Sequence, residues 1–182
     1  MESADQPLAA RARRAYETGR LRWALQIGWI VLLLIGVSYV AVGASLVSAA
    51  TGAALLVTAT AMRWRGRTLS AAVRAGLAAG LIPFTLLVTL KCGSGMFCAL
   101  GGCMSHCARF CGFGGLAAGV LLATRARQHD DHVVEFLVGA SVVAALTGLM
   151  GCFVGGLTGM AWMVVGELFA TLPAFALELR RR

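Results

Sequence analysis

Six cysteines and one glutamate are the residues of this sequence whose types and spacing could do chemistry. Five of the cysteines, Cys92, Cys98, Cys103, Cys107 and Cys111, share the stretch KCGSGMFCALGGCMSHCARFCGFGG from Lys91 to Gly115, together with Met96, Met104 and His106. Cys152 stands apart. Thiolates assisted by thioether and imidazole groups bind soft metal ions, and Cys103, His106, Cys107 and Cys111 form the candidate metal set. The spacings are C-x5-C, C-x4-C, C-x3-C and C-x3-C, with no C-x-x-C. They match neither zinc nor iron–sulfur ligand patterns. An even number of cysteines on one side of a membrane instead favours disulfides wherever that side is oxidising. A disulfide framework is therefore preferred to metal binding, thiol-redox chemistry or free packing thiols. No cofactor is evident apart from a soft metal ion.

The glutamate is Glu167, in the middle of a long apolar run, with Met160, Met163 and Val164 on its face at helical spacing. A carboxyl at that depth costs a few kcal/mol to insert and faces the interior of a helix bundle or water. Its chemistry is that of a proton or cation site, and its structural alternative is a protonated acid hydrogen-bonded to a neighbouring Ser or Thr. The run His129-Asp130-Asp131-His132 resembles a metal cluster, but a simpler account is preferred. Asp130 or Asp131 caps the helix that follows, and Glu135 favours its positive N-terminus. Ser/His/Asp arrangements, phosphate loops, H-E-x-x-H patterns and nucleophile elbows are absent from the sequence. The catalytic set is therefore empty, and a hydrolase or transferase is not expected.

The elements that must position these groups are membrane helices. With 59% hydrophobic and 13% charged residues among 182, and a mean hydropathy of +0.80, the chain is far more apolar than soluble domains, about a quarter of whose residues are charged. The net charge of +8 does not indicate a nucleic-acid partner. The arginines lie in short groups between apolar segments, which is the pattern of helix ends held on the cytoplasmic side.

Residues 1–22 form a basic cytoplasmic segment, read as a short helix on the membrane surface. Residues 23–179 form a polytopic domain with spans at about 23–40, 42–62, 69–90, 104–124, 133–153 and 157–177, and residues 180–182 are a basic tail. The first reversal falls around Tyr39 to Ser45. Arg63–Arg67 (RWRGR) forms a tight cytoplasmic loop, and Pro83 kinks the third helix. The fourth helix reaches spanning length only if it begins near Met104, a re-entrant segment being the alternative. Fourteen basic residues then lie on one side, against Lys91 and Arg109 on the other. This asymmetry selects six helices with both termini cytoplasmic and a Cys-rich extracytoplasmic loop between helices three and four.

That topology places all six cysteines at one face. Within a helix, Cβ atoms at i and i+4 lie ~5–6 Å apart, whereas a disulfide needs ~3.5–4.5 Å. Cys103, Cys107 and Cys111 therefore cannot pair with one another, and bridges run to Cys92 or Cys98, with Cys152 tying helix five to helix four. Two further features are noted. VGASLVSAATG (Val42–Gly52) resembles VGASVVAALTG (Val138–Gly148) at eight of eleven positions, as inverted repeats would, although coincidence is the preferred explanation. Gly76/Gly80, Gly115/Gly119 and Gly151/Gly155/Gly159 have spacing that lets helices approach closely, within the chain or against a second copy or a membrane-complex partner.

The expected fold class is thus an all-α, multi-pass inner-membrane protein embedded in lipid. The leading function is translocation of a small solute, cation or proton through the bundle. The alternatives are a thiol-redox or soft-metal-handling membrane protein and a structural subunit of a membrane complex.

Overall fold

A computed structural model describes residues 5–42, 46–93, 103–128, 132–152 and 156–181. Among these the fold is all-helical, with six helices: α1 (Asp5–Val42), α2 (Leu46–Arg65), α3 (Arg67–Gly93), α4 (Cys103–Ala126), α5 (Val133–Cys152) and α6 (Gly156–Arg181). Stretches of α1, α2, α3, α5 and α6 are long and apolar enough to cross a membrane. The outside of the bundle carries large apolar side chains, among them Trp29, Leu33, Val57, Phe113 and Phe169. Soluble monomers rarely present such a continuous apolar exterior. The chain has the build of a membrane protein.

Two boundaries differ from those expected. The basic N-terminal segment is not a separate surface helix, because α1 runs through it without interruption for 38 residues, or ~57 Å. Its Ala, Arg, Leu and Glu residues are good helix formers. The change from polar to apolar composition marks a change of surroundings and leaves the backbone helical. The expected arginine loop is also shorter than RWRGR suggested. Arg63 and Arg65 belong to the last turn of α2, Gly66 alone separates it from α3, and Ser70 N–H donates to the Gly66 carbonyl at 3.1 Å. Arginine at a helix C-terminus complements the unsatisfied carbonyls there, which is why the helix absorbs both side chains. The expected first reversal overlaps residues 43–45, which lie outside the described residues.

α4 is one unbroken helix of 24 residues. At α5 the Phe136 N–H donates to the His132 carbonyl at 2.9 Å, which puts His132 at the N-cap position. Asp130 and Asp131, the expected caps, lie outside the described residues. Glu135 occupies the first turn as anticipated, with a carboxylate oxygen 3.8 Å from His132 Nδ1. Gly156 opens α6 with φ of 68°, a left-handed conformation that glycine adopts without steric cost.

α3 and α5 form the centre. The two most extensive interfaces are α3 with α5 and α4 with α6, while α1 lies at the edge, chiefly against α2. One apolar core joins Ile27, Val31, Leu55, Val73, Val143 and Met150 from α1, α2, α3 and α5. A second joins Ala79, Ala118, Leu122, Phe136 and Ala140, with Phe175 of α6 packed against it. Glycines set the spacing. A Cβ on Gly76 would fall against the Ala140 carbonyl and Val143, and one on Gly80 against Ala144 and Thr147. One on Gly115 would strike the Met163 backbone, and one on Gly119 that of Glu167. α3 continues through Pro83, whose missing N–H cannot serve the Ala79 carbonyl. The ring is fully buried between Gly114 of α4 and Gly148 of α5.

Candidate functional site

Glu167 sits on α6 where it meets α4 and α5, and only 3% of its surface is exposed. Close approach of α4 is the reason. Gly119 lies against the Glu167 backbone with no side chain between the two helices. One turn on, Thr171 returns its hydroxyl to the Glu167 carbonyl at 3.0 Å. The carboxyl faces the Ser141 hydroxyl of α5, yet neither Ser141 Oγ nor Glu167 Oε1 completes a hydrogen bond. An unpartnered buried polar atom costs on the order of 1–3 kcal/mol, and an unpaired buried charge costs more. Such a group is held in place by the surrounding packing.

Toward the end of the bundle where α5 finishes and α6 begins, the sulfur side chains gather. Cys111 of α4, Cys152 of α5 and Met163 of α6 form a buried cluster of their own, with Met160 packed against it. The Cys111 and Cys152 thiols lie side by side, both cysteines are wholly buried, and no disulfide joins them. The sequence expectation that Cys152 would tie helix five to helix four therefore has a counterpart in proximity, with no disulfide between Cys111 and Cys152. Cys92 falls in the last turn of α3, and Cys103 and Cys107 in the first turns of α4. The side chains of Cys92, Cys103, His106 and Cys107, and the whole of Cys98, lie outside the described residues, so the expected loop bridges and three of the four members of the candidate metal set fall outside them too. Among the described residues no three His, Cys, Asp or Glu side chains converge on one point. His132 is exposed at the opposite end of the bundle from the sulfur cluster.

Two arrangements carried no clear signal in the sequence. Arg63 is buried and places its guanidinium carbon 3.9 Å from the centroid of the Trp23 ring, so that α2 is tied to α1. The grouping of arginines marks helix ends in the sequence, but the stacking of Arg63 on Trp23 depends on helix packing. Ser38 of α1 lies 3.3 Å from Ser48 Oγ of α2 and donates to the Met150 carbonyl of α5 at 3.3 Å. Isolated serines are common in membrane helices, and nothing in their spacing distinguishes this pair.

An open groove of about 830 Å³ runs along the outside between α4 and α6, lined by Arg109, Gly112, Phe113, Trp162, Gly166 and Phe169 among others. Glu167 is not part of its lining. The groove is apolar, and its surroundings are those of a lipid-facing surface. Comparison of the chain with protein families, curated proteins and solved structures finds no match.

Proposed function

We propose that this chain is a six-span inner-membrane protein, with both termini cytoplasmic, that moves a proton or a small cation through its helix bundle at Glu167. The observation that carries the reading is the buried carboxyl with an unpartnered oxygen at the junction of α4, α5 and α6. Ionisable groups at such depth characteristically mark ion and proton pathways. The tight packing around Glu167 suits a proton or a dehydrated ion better than a bulky hydrated solute. α4, at 24 residues and ~36 Å, is long enough to be the sixth span.

Proteoliposomes test the reading. Purified protein is reconstituted with a pH-sensitive dye inside, a potassium diffusion potential is imposed, and proton flux is followed with and without added monovalent and divalent cations. The parent should carry flux, and Glu167→Gln, which keeps the shape and removes the charge, should fall to the rate of empty vesicles while its thermal unfolding stays close to the parent's. Equal flux from parent and variant would make the carboxyl structural.

A second reading, thiol-redox or soft-metal handling, is favoured by the contact between Cys111 and Cys152. The structural-subunit reading is less well supported. Gly76, Gly80, Gly115, Gly119 and Gly151, whose spacing could have served a partner, face other helices of the same chain.

A further inference from the structure

We infer that Cys111, Cys152, Met160 and Met163 form a binding site for one soft monovalent cation of the Cu(I) or Ag(I) type. The inference rests on the second reading above and does not require Glu167 to carry anything.

The donor set is the first argument. Every side chain of this cluster ends in or contains sulfur, and the donors come from three helices, α4, α5 and α6. Thiolate with thioether selects copper(I) and its congeners, whereas zinc sites are built from cysteine, histidine and carboxylate. Among the described residues no His, Asp or Glu joins the two cysteines in a group of three.

The second argument is the space made for the sulfurs. A Cβ on Gly159 would lie 3.3 Å from Cys111 Sγ and 3.4 Å from the Cys152 carbonyl. A Cβ on Gly148 would lie 2.7 Å from Met163 Sδ. Glycine on α6 therefore admits the Cys111 thiol, and glycine on α5 admits the Met163 thioether. An alkyl core has no need of two adjacent thiols, and apolar residues of similar volume would fill the same space.

Charge is the third. The site is wholly buried at Cys111, Cys152 and Met163, so it must remain close to neutral. Binding of M⁺ breaks the S–H bond of one cysteine and forms an S–M bond, with the proton released to water. The second thiol and the two thioethers complete the shell as neutral donors. Cation charge and thiolate charge cancel, and no oxidant or reductant is consumed.

Ag(I), which is redox-inert under these conditions, is the probe. The full chain carries Cys92, Cys98, Cys103 and Cys107 replaced by serine, so that only Cys111 and Cys152 remain as thiols. It is reduced, purified in detergent and titrated with Ag(I) against a competing chelator. One Ag(I) per chain should bind, with a rise in unfolding temperature and an all-sulfur X-ray absorption spectrum. The volume-conserving double variant Met160→Leu/Met163→Leu keeps the fold and should weaken binding about ten- to a hundredfold, with a smaller thermal shift. Replacing both Cys111 and Cys152 by serine should abolish it, and Glu167→Gln should leave it unchanged. The inference is overturned if the Met variant binds as tightly as its parent, or if no Ag(I) is retained. It is equally overturned if peptide mapping of the native protein finds Cys111 and Cys152 joined in a bond that reductant does not open, which would make the pair a structural bridge.

Discussion

Arg63 is the residue whose surroundings differ most from what its type suggests. A guanidinium near a membrane helix end ordinarily reaches for water or a carboxylate, yet this one is stacked on Trp23, and its Nε is buried without a hydrogen-bond partner. Cation–π contacts contribute about 0.5–2 kcal/mol depending on desolvation. A double-mutant cycle with Arg63→Gln and Trp23→Leu, read by unfolding in detergent, should return a coupling of about 0.5–2 kcal/mol. Additive effects would mean that the two side chains act independently. The burial of Glu167 was legible in the sequence, because a lone carboxyl in an apolar helix must turn inward. Its neighbour Ser141 was not, since a single serine carries no periodic signal. That Cys152 approaches helix four was legible through elimination, because spacing on one helix forbids the local pairs; that Cys111 is the residue it meets was not.

At the scale of elements, the helices follow from composition, and their pairing follows from glycine. The spacing of Gly76/Gly80 and Gly115/Gly119 identified faces of close approach, but the partners, α5 for the first pair and α6 for the second, were settled by the three-dimensional arrangement. The N-terminal arm shows the converse. Its polarity was read as a boundary, although helix propensity continues across it and α1 does not break. The same substitution should have opposite effects at two glycines. Gly115→Ala drives a methyl group into the Met163 backbone and should destabilise by about 1–3 kcal/mol, because backbone cannot yield as a side-chain tip can. Gly36→Ala meets nothing within 4 Å and should be neutral or stabilising by up to about 1 kcal/mol, through helix propensity alone. Thermal unfolding of both variants in one detergent checks the order, and a Gly115→Ala protein as stable as Gly36→Ala would contradict the α4–α6 packing.

For the whole molecule, the internal likeness does not resolve into equivalent elements. The alignment of Val42–Gly52 with Val138–Gly148 pairs Leu46, the first residue of α2, with Val142, well inside α5. Two related three-helix halves would place such residues at corresponding depths, so shared membrane composition accounts for the match. What organises the molecule is the central α3–α5 pair, with α4 and α6 closed over one side. This arrangement holds Glu167 inside and gathers sulfur at one end. The proposed orientation rests on charge, with arginine at one set of helix ends and cysteine at the other. Reporter fusions test it most directly. Fusions after Arg67, after Arg127 and at the C-terminus should all report the cytoplasm, and one at Gly95 should report the opposite side. A cytoplasmic signal at Gly95, or a C-terminus outside, would contradict the six-span bundle and the placing of the cysteines on one face.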